Sequence, residues 1–222
     1  MTPRELLRAG VVFVGLTAVL TYPQVRFMRT HLDPHYDSLF SVWRLAWIAH
    51  QLPRDPRHLF DANIFFPQPN TLAYSDALLL PGIGAAPLIW MGLPAIAAYN
   101  LLVLLSFVLC GLAMYACVRL LTESVAAAWF GSVVFAFQAF RFGHYGQLET
   151  LWAWPIPLAL LTLDRLATRP RLSRGALLGA LVAVQAWSCV YYAVFLITAL
   201  PMVGLALVVG QQIGRASCRE RV

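Results

Sequence analysis

The sequence predicts an all-α, polytopic transmembrane helical bundle of about six spans, with interfacial or re-entrant helices in the first outer loop. Three observations predict it. Hydrophobic residues make up 60% of the 222-residue chain and charged residues only 12%, roughly half the charged share of an ordinary soluble domain. The apolar residues fall in long blocks, several of them near the roughly 20 residues that a helical bilayer crossing requires. The arginines sit beside those blocks, where membrane topology alone accounts for them.

The first block, Leu6 to Tyr22, follows Arg4 and Arg8. No small-residue cleavage site succeeds it, because Tyr22-Pro23-Gln24-Val25-Arg26 is a poor one, so it reads as a retained span rather than a signal peptide. A mixed stretch follows, the start of an outer loop covering residues 26–94. It holds Asp33, Asp37, Asp55, Asp61 and Asp76, together with His31, His35, His50 and His58. Within it, Leu39, Val42, Trp43, Ala46 and Trp47 recur at helical spacing, which predicts a short helix from Ser38 to Gln51. Two tryptophans on that face suit the membrane interface, and Pro53 to Pro56 ends the helix.

Ala77 to Pro94 is apolar but interrupted by Pro81, Gly82, Gly84, Pro87, Gly92 and Pro94. Such a segment is a weak span or a re-entrant one, since broken helices at membrane depth need protein or a cavity to cover them. Ala95 to Val118 is a clear span, Arg119 to Ser124 a turn, and Val125 to Phe140 the next span. Arg141 to Glu149 is a polar loop. Thr150 to Leu163 forms the following span, with Pro155 and Pro157 near its start. Asp164 to Arg174 is a loop carrying Arg165, Arg169, Arg171 and Arg174, and the blocks from Gly175 to Tyr191 and Ala193 to Gly210 complete the set.

The four-arginine loop is the strongest cytoplasmic marker. Counting back from it places the loop around His144 outside and the Arg119 turn inside. A re-entrant 77–94 then places residues 26–76 outside and the N-terminus, with Arg4 and Arg8, inside. A crossing 77–94 would put those two arginines outside, against the positive-inside bias.

The formal charge of +6 invites a nucleic-acid reading, but the position of the arginines beside apolar spans argues against that partner. Cys110, Cys117, Cys189 and Cys218 have no metal-ligand spacing to one another and read as small apolar residues. Phosphate-cradling glycine loops, zinc spacings and nucleophile elbows are all missing from the sequence.

Chemistry concentrates in two polar stretches. The first is His31-Leu32-Asp33-Pro34-His35-Tyr36-Asp37-Ser38, a few residues beyond the first span. A carboxylate held there could act as general base on a substrate whose reactive end lies among the headgroups. With a second carboxylate or a histidine it could instead hold a divalent metal beside a phosphate. The plainer reading makes Asp37 an N-cap of the following helix and Asp33-Pro34 turn chemistry. The second stretch is Arg141-Phe142-Gly143-His144-Tyr145-Gly146-Gln147-Leu148-Glu149. Here Arg141 could bind a phosphate and His144 support a metal or a proton, or the segment could be an interfacial loop with solvated charges. A third stretch, Leu59 to Asn70, could shape a sugar site, but packing of its aromatic rings on the membrane is the simpler account.

Several phrases resemble a known group. They are Asp37-Ser38-Leu39-Phe40-Ser41-Val42-Trp43-Arg44-Leu45-Ala46-Trp47, Leu59-Phe60-Asp61-Ala62-Asn63-Ile64-Phe65-Phe66-Pro67, Asn70-Thr71-Leu72-Ala73-Tyr74-Ser75 and Phe135-Ala136-Phe137-Gln138-Ala139-Phe140-Arg141-Phe142-Gly143-His144. With an acidic motif just after the first span, they resemble the C-type membrane glycosyltransferase superfamily, in a branch of bacterial inner-membrane proteins. The resemblance covers residues 5 to 200. It implies transfer of a sugar from a polyprenyl-phosphate donor on the outer membrane face. It implies Asp37 as base or metal neighbour with Asp33 beside it, and Glu149 or His144 as the second-loop polar residue. Arg44, Arg141, His144 and Gln147 would then meet the substrate. The second loop departs from the superfamily, which often carries an aspartate there, so the cofactor stays unknown, with a divalent metal as the candidate. Two other classes remain open: a transporter or flippase for a lipid-linked substrate, and a non-catalytic membrane protein. A transporter would show paired broken helices in two related halves, and one broken segment is visible here.

Residues 213–222 differ in character from the rest. Ile213-Gly214-Arg215-Ala216-Ser217-Cys218-Arg219-Glu220-Arg221-Val222 back-translates to a common short-read sequencing adapter read in frame. The expectation is therefore a truncated N-terminal transmembrane domain over 1–212, inactive alone, with an artefactual tail that does not enter fold reasoning. Without the tail's three arginines and one glutamate the charge falls from +6 to +4.

Overall fold

A computed structural model describes the backbone of residues 1–219 and the side chains of residues 1–210, so the adapter-like stretch 213–222 lies outside the fully described residues. Among the described residues every regular element is a helix and no strand occurs. Three helical stretches are long and apolar enough to cross a membrane: Ala95–Thr122, Val125–Gly143 and Val190–Gly210. The count of six spans is not reproduced by that measure.

Helix α1 (Pro3–Leu20) starts with a capping box. Thr2 Oγ1 accepts from Glu5 N–H at 3.2 Å, and Glu5 returns the favour to Thr2 N–H at 3.3 Å, so two orphan donors are satisfied at once. The centre of the bundle is α4 (Ala95–Thr122), which touches α1, α5 (Val125–Ala136) and α8 (Pro155–Thr168). Its Tyr99, Leu102, Val103 and Phe107 bury against Leu45, Leu78 and Leu148. Helix α1 crosses α4 where Gly111 faces Phe13. A Cβ at Gly111 would stand 2.6 Å from the Phe13 ring, so a small residue is what lets the two backbones approach.

The segment between α1 and α4 forms α2 (Tyr36–Gln51), two single-turn 3-10 helices at 56–58 and 71–74, and α3 (Leu79–Trp90). Helix α2 begins two residues before the expected Ser38, because His35 is the cap: its Nδ1 accepts from Asp37 N–H at 3.2 Å. Asp37 is thus not the N-cap that the sequence suggested. It lies in the first turn, where a carboxylate still favours the helix dipole. The twelve residues of α3 rise only about 18 Å, against about 30 Å of hydrocarbon, so this helix is too short to cross.

The polar loop 141–149 contains two small helices, α6 (Ala139–Gly143) and α7 (Leu148–Leu151). The expected Asp164–Arg174 loop is shorter than its polarity suggested. Helix α8 continues to Thr168, and α9 (Leu172–Ser188) starts after three intervening residues. Asp164 and Arg165 are therefore helical. The break expected near Tyr191 falls instead at Cys189, which is extended (φ −157°, ψ 111°) between α9 and α10 (Val190–Arg219). Large apolar side chains remain exposed on the outside of the bundle: Leu7, Val11 and Val19 on α1, Val194, Phe195, Ile197 and Met202 on α10. Such contiguous apolar surface suits lipid rather than water.

Candidate functional site

The two polar stretches singled out in the sequence meet at one end of the bundle. Gly146 presses into the turn that starts α2. A Cβ there would lie 2.8 Å from His35 Cβ, 2.8 Å from Ser38 Oγ and 3.2 Å from Asp33 Oδ2. Only glycine lets the second loop come this close. Tyr99 of α4 closes the junction from below, donating its hydroxyl 3.2 Å from both Ser38 Oγ and Gly146 O.

Asp37 faces the second loop. Gln147 Nε2 donates to Asp37 Oδ2 at 2.8 Å, and the His35 ring lies 3.3 Å from the same oxygen. The Asp37 side chain keeps 37% of its exposure, so its carboxylate is both held and reachable. Asp33 turns the chain instead. Its Oδ2 accepts from His35 N–H at 3.3 Å, as Asp does in turns, and stands 3.5 Å from Ser38 Oγ.

About two helical turns further along α2, Arg44 is buried. It donates to Glu149 Oε2 at 3.0 Å, to Ser41 Oγ at 2.8 Å and to the Asp76 carbonyl, and it lies over the Phe40 ring at 4.5 Å. Its helix position follows from the register that buries Ser41, Leu45 and Ile48 on the same face. Glu149 is 12% exposed and paired. The pair therefore joins the first polar segment to the second from within, and neither charge is left alone in the interior.

Asp76 was not singled out in the sequence. It is 5% exposed, and its Oδ2 accepts from Val190 N–H, the first of α10, at 2.7 Å. Burial raises its carboxyl above the ordinary range, offset in part by the Val190 and Leu78 N–H groups and the Arg44 charge. A carboxylate ahead of a Pro/Gly-broken segment was the available signal, but its partner lies 114 positions away.

Arg141 and His144 are not part of this cluster. Arg141 is 2% exposed and points into the bundle, donating to Leu151 O at 2.9 Å and Ser106 Oγ at 3.1 Å over the Phe107 ring. His144 stacks on Phe140 with ring centroids 3.9 Å apart and bonds its own helix through Phe140 O at 2.9 Å. The structure thus brings together Asp33, Asp37, Arg44, Gln147 and Glu149, and leaves Arg141 and His144 apart. Among the described residues no three His, Cys, Asp or Glu side chains converge in a way that could hold a metal ion. The divalent metal of the sequence reading therefore has no ready-made cage here.

The arrangement offers one accessible carboxylate at the mouth of an apolar bundle, oriented by an amide from a second loop and backed by a buried ion pair. The chain matches no family model, no curated protein and no solved structure.

Proposed function

We propose that this chain is the membrane domain of a glycosyltransferase that takes a sugar from a polyprenyl-phosphate donor on the outer membrane face. One observation carries the reading: Asp37, reachable and fixed by Gln147, sits where the two outer polar segments converge. The resemblance of residues 37–47, 59–67, 70–75 and 135–144 to the C-type superfamily supports it. In the reaction, the acceptor hydroxyl gives its proton to an Asp37 oxygen as its own oxygen bonds to the anomeric carbon. The bond from that carbon to the phosphate oxygen breaks, and polyprenyl phosphate leaves with the electron pair. Gln147 positions Asp37, and the Arg44–Glu149 pair holds the two segments in register.

In this proposal α1, α4, α5 with α6, α7 with α8, α9 and α10 are the six crossings of a bacterial inner membrane. The N-terminus is cytoplasmic and α3 is re-entrant. Arg4, Arg8 and the arginines near 165–174 then all face the cytoplasm, as positive-inside bias favours.

The test is sugar transfer by the intact gene product in vesicles supplied with labelled polyprenyl-phosphate sugars. Asp37→Asn is expected to lower turnover by at least about 100-fold, the scale of a lost general base, with unchanged gel-filtration behaviour. Transfer that survives Asp37→Asn at the wild-type rate sinks the proposal and favours carriage of a lipid-linked substrate.

A further inference from the structure

A second site lies where α8 hands over to α9, away from the Asp37 cluster. A cavity of about 680 Å³ is lined by Thr162, Arg165, Thr168, Arg169, Arg174 and Leu177. Three of these six are arginines. Arg174 is already committed: its guanidinium donates to Arg165 O at 2.8 Å and to Arg169 O, next to the Arg169 N–H that Arg165 O also accepts. That contact fixes the back of the cavity. Arg165 and Arg169 are exposed, and among the described residues neither pairs with a carboxylate, the four ion pairs lying elsewhere. Asp164 is adjacent in sequence but does not line the cavity.

The N-cap Arg171 of α9 makes no side-chain capping hydrogen bond, and the partial positive end of that helix offsets the partial negative end of α8 beside it, leaving the arginines to set the sign. Beside the polar opening the wall turns apolar at Leu177, which lines the cavity and is 52% exposed. A cationic opening next to an exposed leucine matches an amphiphile whose phosphate enters and whose chains stay outside.

We propose that this cavity binds the phosphodiester headgroup of an anionic phospholipid, with Arg165 and Arg169 on the phosphate and the acyl chains leaving past Leu177. The proposal rests on the chain being embedded in a bilayer and is independent of any transfer chemistry. A phosphate without chains offers the same charge, so lipid and free phosphate must be told apart.

The test titrates the full chain, in neutral detergent micelles, with spin-labelled phosphatidylglycerol. Wild type is expected to bind it at least tenfold more tightly than labelled phosphatidylcholine. The R165Q/R169Q variant is expected to lose that preference, while R171Q, outside the lining, keeps it. Thermal unfolding of each variant without lipid should match wild type, since both arginines are exposed. Equal affinity for the two lipids overturns the proposal, as does an unchanged preference in R165Q/R169Q. Displacement of the lipid by millimolar inorganic phosphate would also overturn it, assigning the cavity to a free anion.

Discussion

Arg44 and Glu149 meet at 3.0 Å although 105 positions separate them. The Arg44 side chain is 1% exposed and that of Glu149 12%, so each depends on the other. Removing one partner of a buried pair strands the second charge, at a cost of about 3–5 kcal/mol. Arg44→Ala is expected to lower the unfolding midpoint in detergent by an amount on that scale. Glu149→Gln keeps an acceptor for the guanidinium and should cost less, about 1–2 kcal/mol. Equal effects of the two substitutions would mean that the guanidinium is held chiefly by Ser41 and the Asp76 carbonyl.

Gly146 offers a steric test of the junction between the loops. A methyl group there meets His35 Cβ and Ser38 Oγ at 2.8 Å, and overpacking of that kind costs about 1–3 kcal/mol. Gly146→Ala should destabilise the fold and part Gln147 from Asp37. Gly143→Ala meets nothing within 4 Å and should stay within about 0.5 kcal/mol of wild type. Similar stabilities for the two variants would refute the close packing of the second loop on α2.

The exposed Asp55–His58 pair gives a pH signature in the segment between α2 and α3. His58 Nδ1 lies 2.6 Å from Asp55 Oδ2. The hydrogen bond to Asp55 raises His58 above its ordinary 6.5, and the same bond lowers Asp55 below its ordinary 3.8. The histidine's contribution is complete below 6.5 and lost as pH rises through its raised value. The aspartate's is complete above 3.8 and lost as pH falls through its lowered value. Histidine-resolved NMR should find His58 titrating above 6.5, and Asp55→Asn should return it toward 6.5. A titration unmoved by Asp55→Asn would show that the pair does not persist in solution.

Asp76 has the opposite sign. Its carboxyl is raised by burial, so the ionised form penalises the fold. The penalty is absent below the ordinary 3.8 and complete above the raised value, so stability rises as pH falls through that value. Asp76→Asn should flatten this dependence while keeping an acceptor for Val190 N–H. Asp76→Ala leaves that donor bare and should cost about 1–3 kcal/mol. Denaturant titrations at several pH values separate the two variants, and parallel pH profiles for wild type and Asp76→Asn would remove Asp76 from the account.

Much of the architecture could be read from local pattern. The α4 and α5 blocks are apolar all round, and α2 announces itself through Leu39, Val42, Trp43 and Ala46. Asp37 and Gln147 were both marked as polar residues at bundle mouths, and they meet. What pattern could not supply was long-range pairing. Arg141 in a polar loop looks available to a ligand, yet Ser106 and Leu151 O occupy it inside. The start of α2 was misplaced because a histidine ring, an uncommon cap, replaced the expected aspartate. The end of α8 was misplaced because Asp164 and Arg165 look like loop residues while facing the last helical turn.

The single extended residue Cys189, with Asp76 bonded to the N–H that follows it, makes α10 a lever whose pivot is tied to the segment before α3. From Val190 to Gly210 the helix is about 30 Å long. A tilt of about 10° at the pivot carries its far end roughly 5 Å. Any tilt that the 71–78 segment imparted through the Asp76 carboxylate would be magnified at the far end of α10.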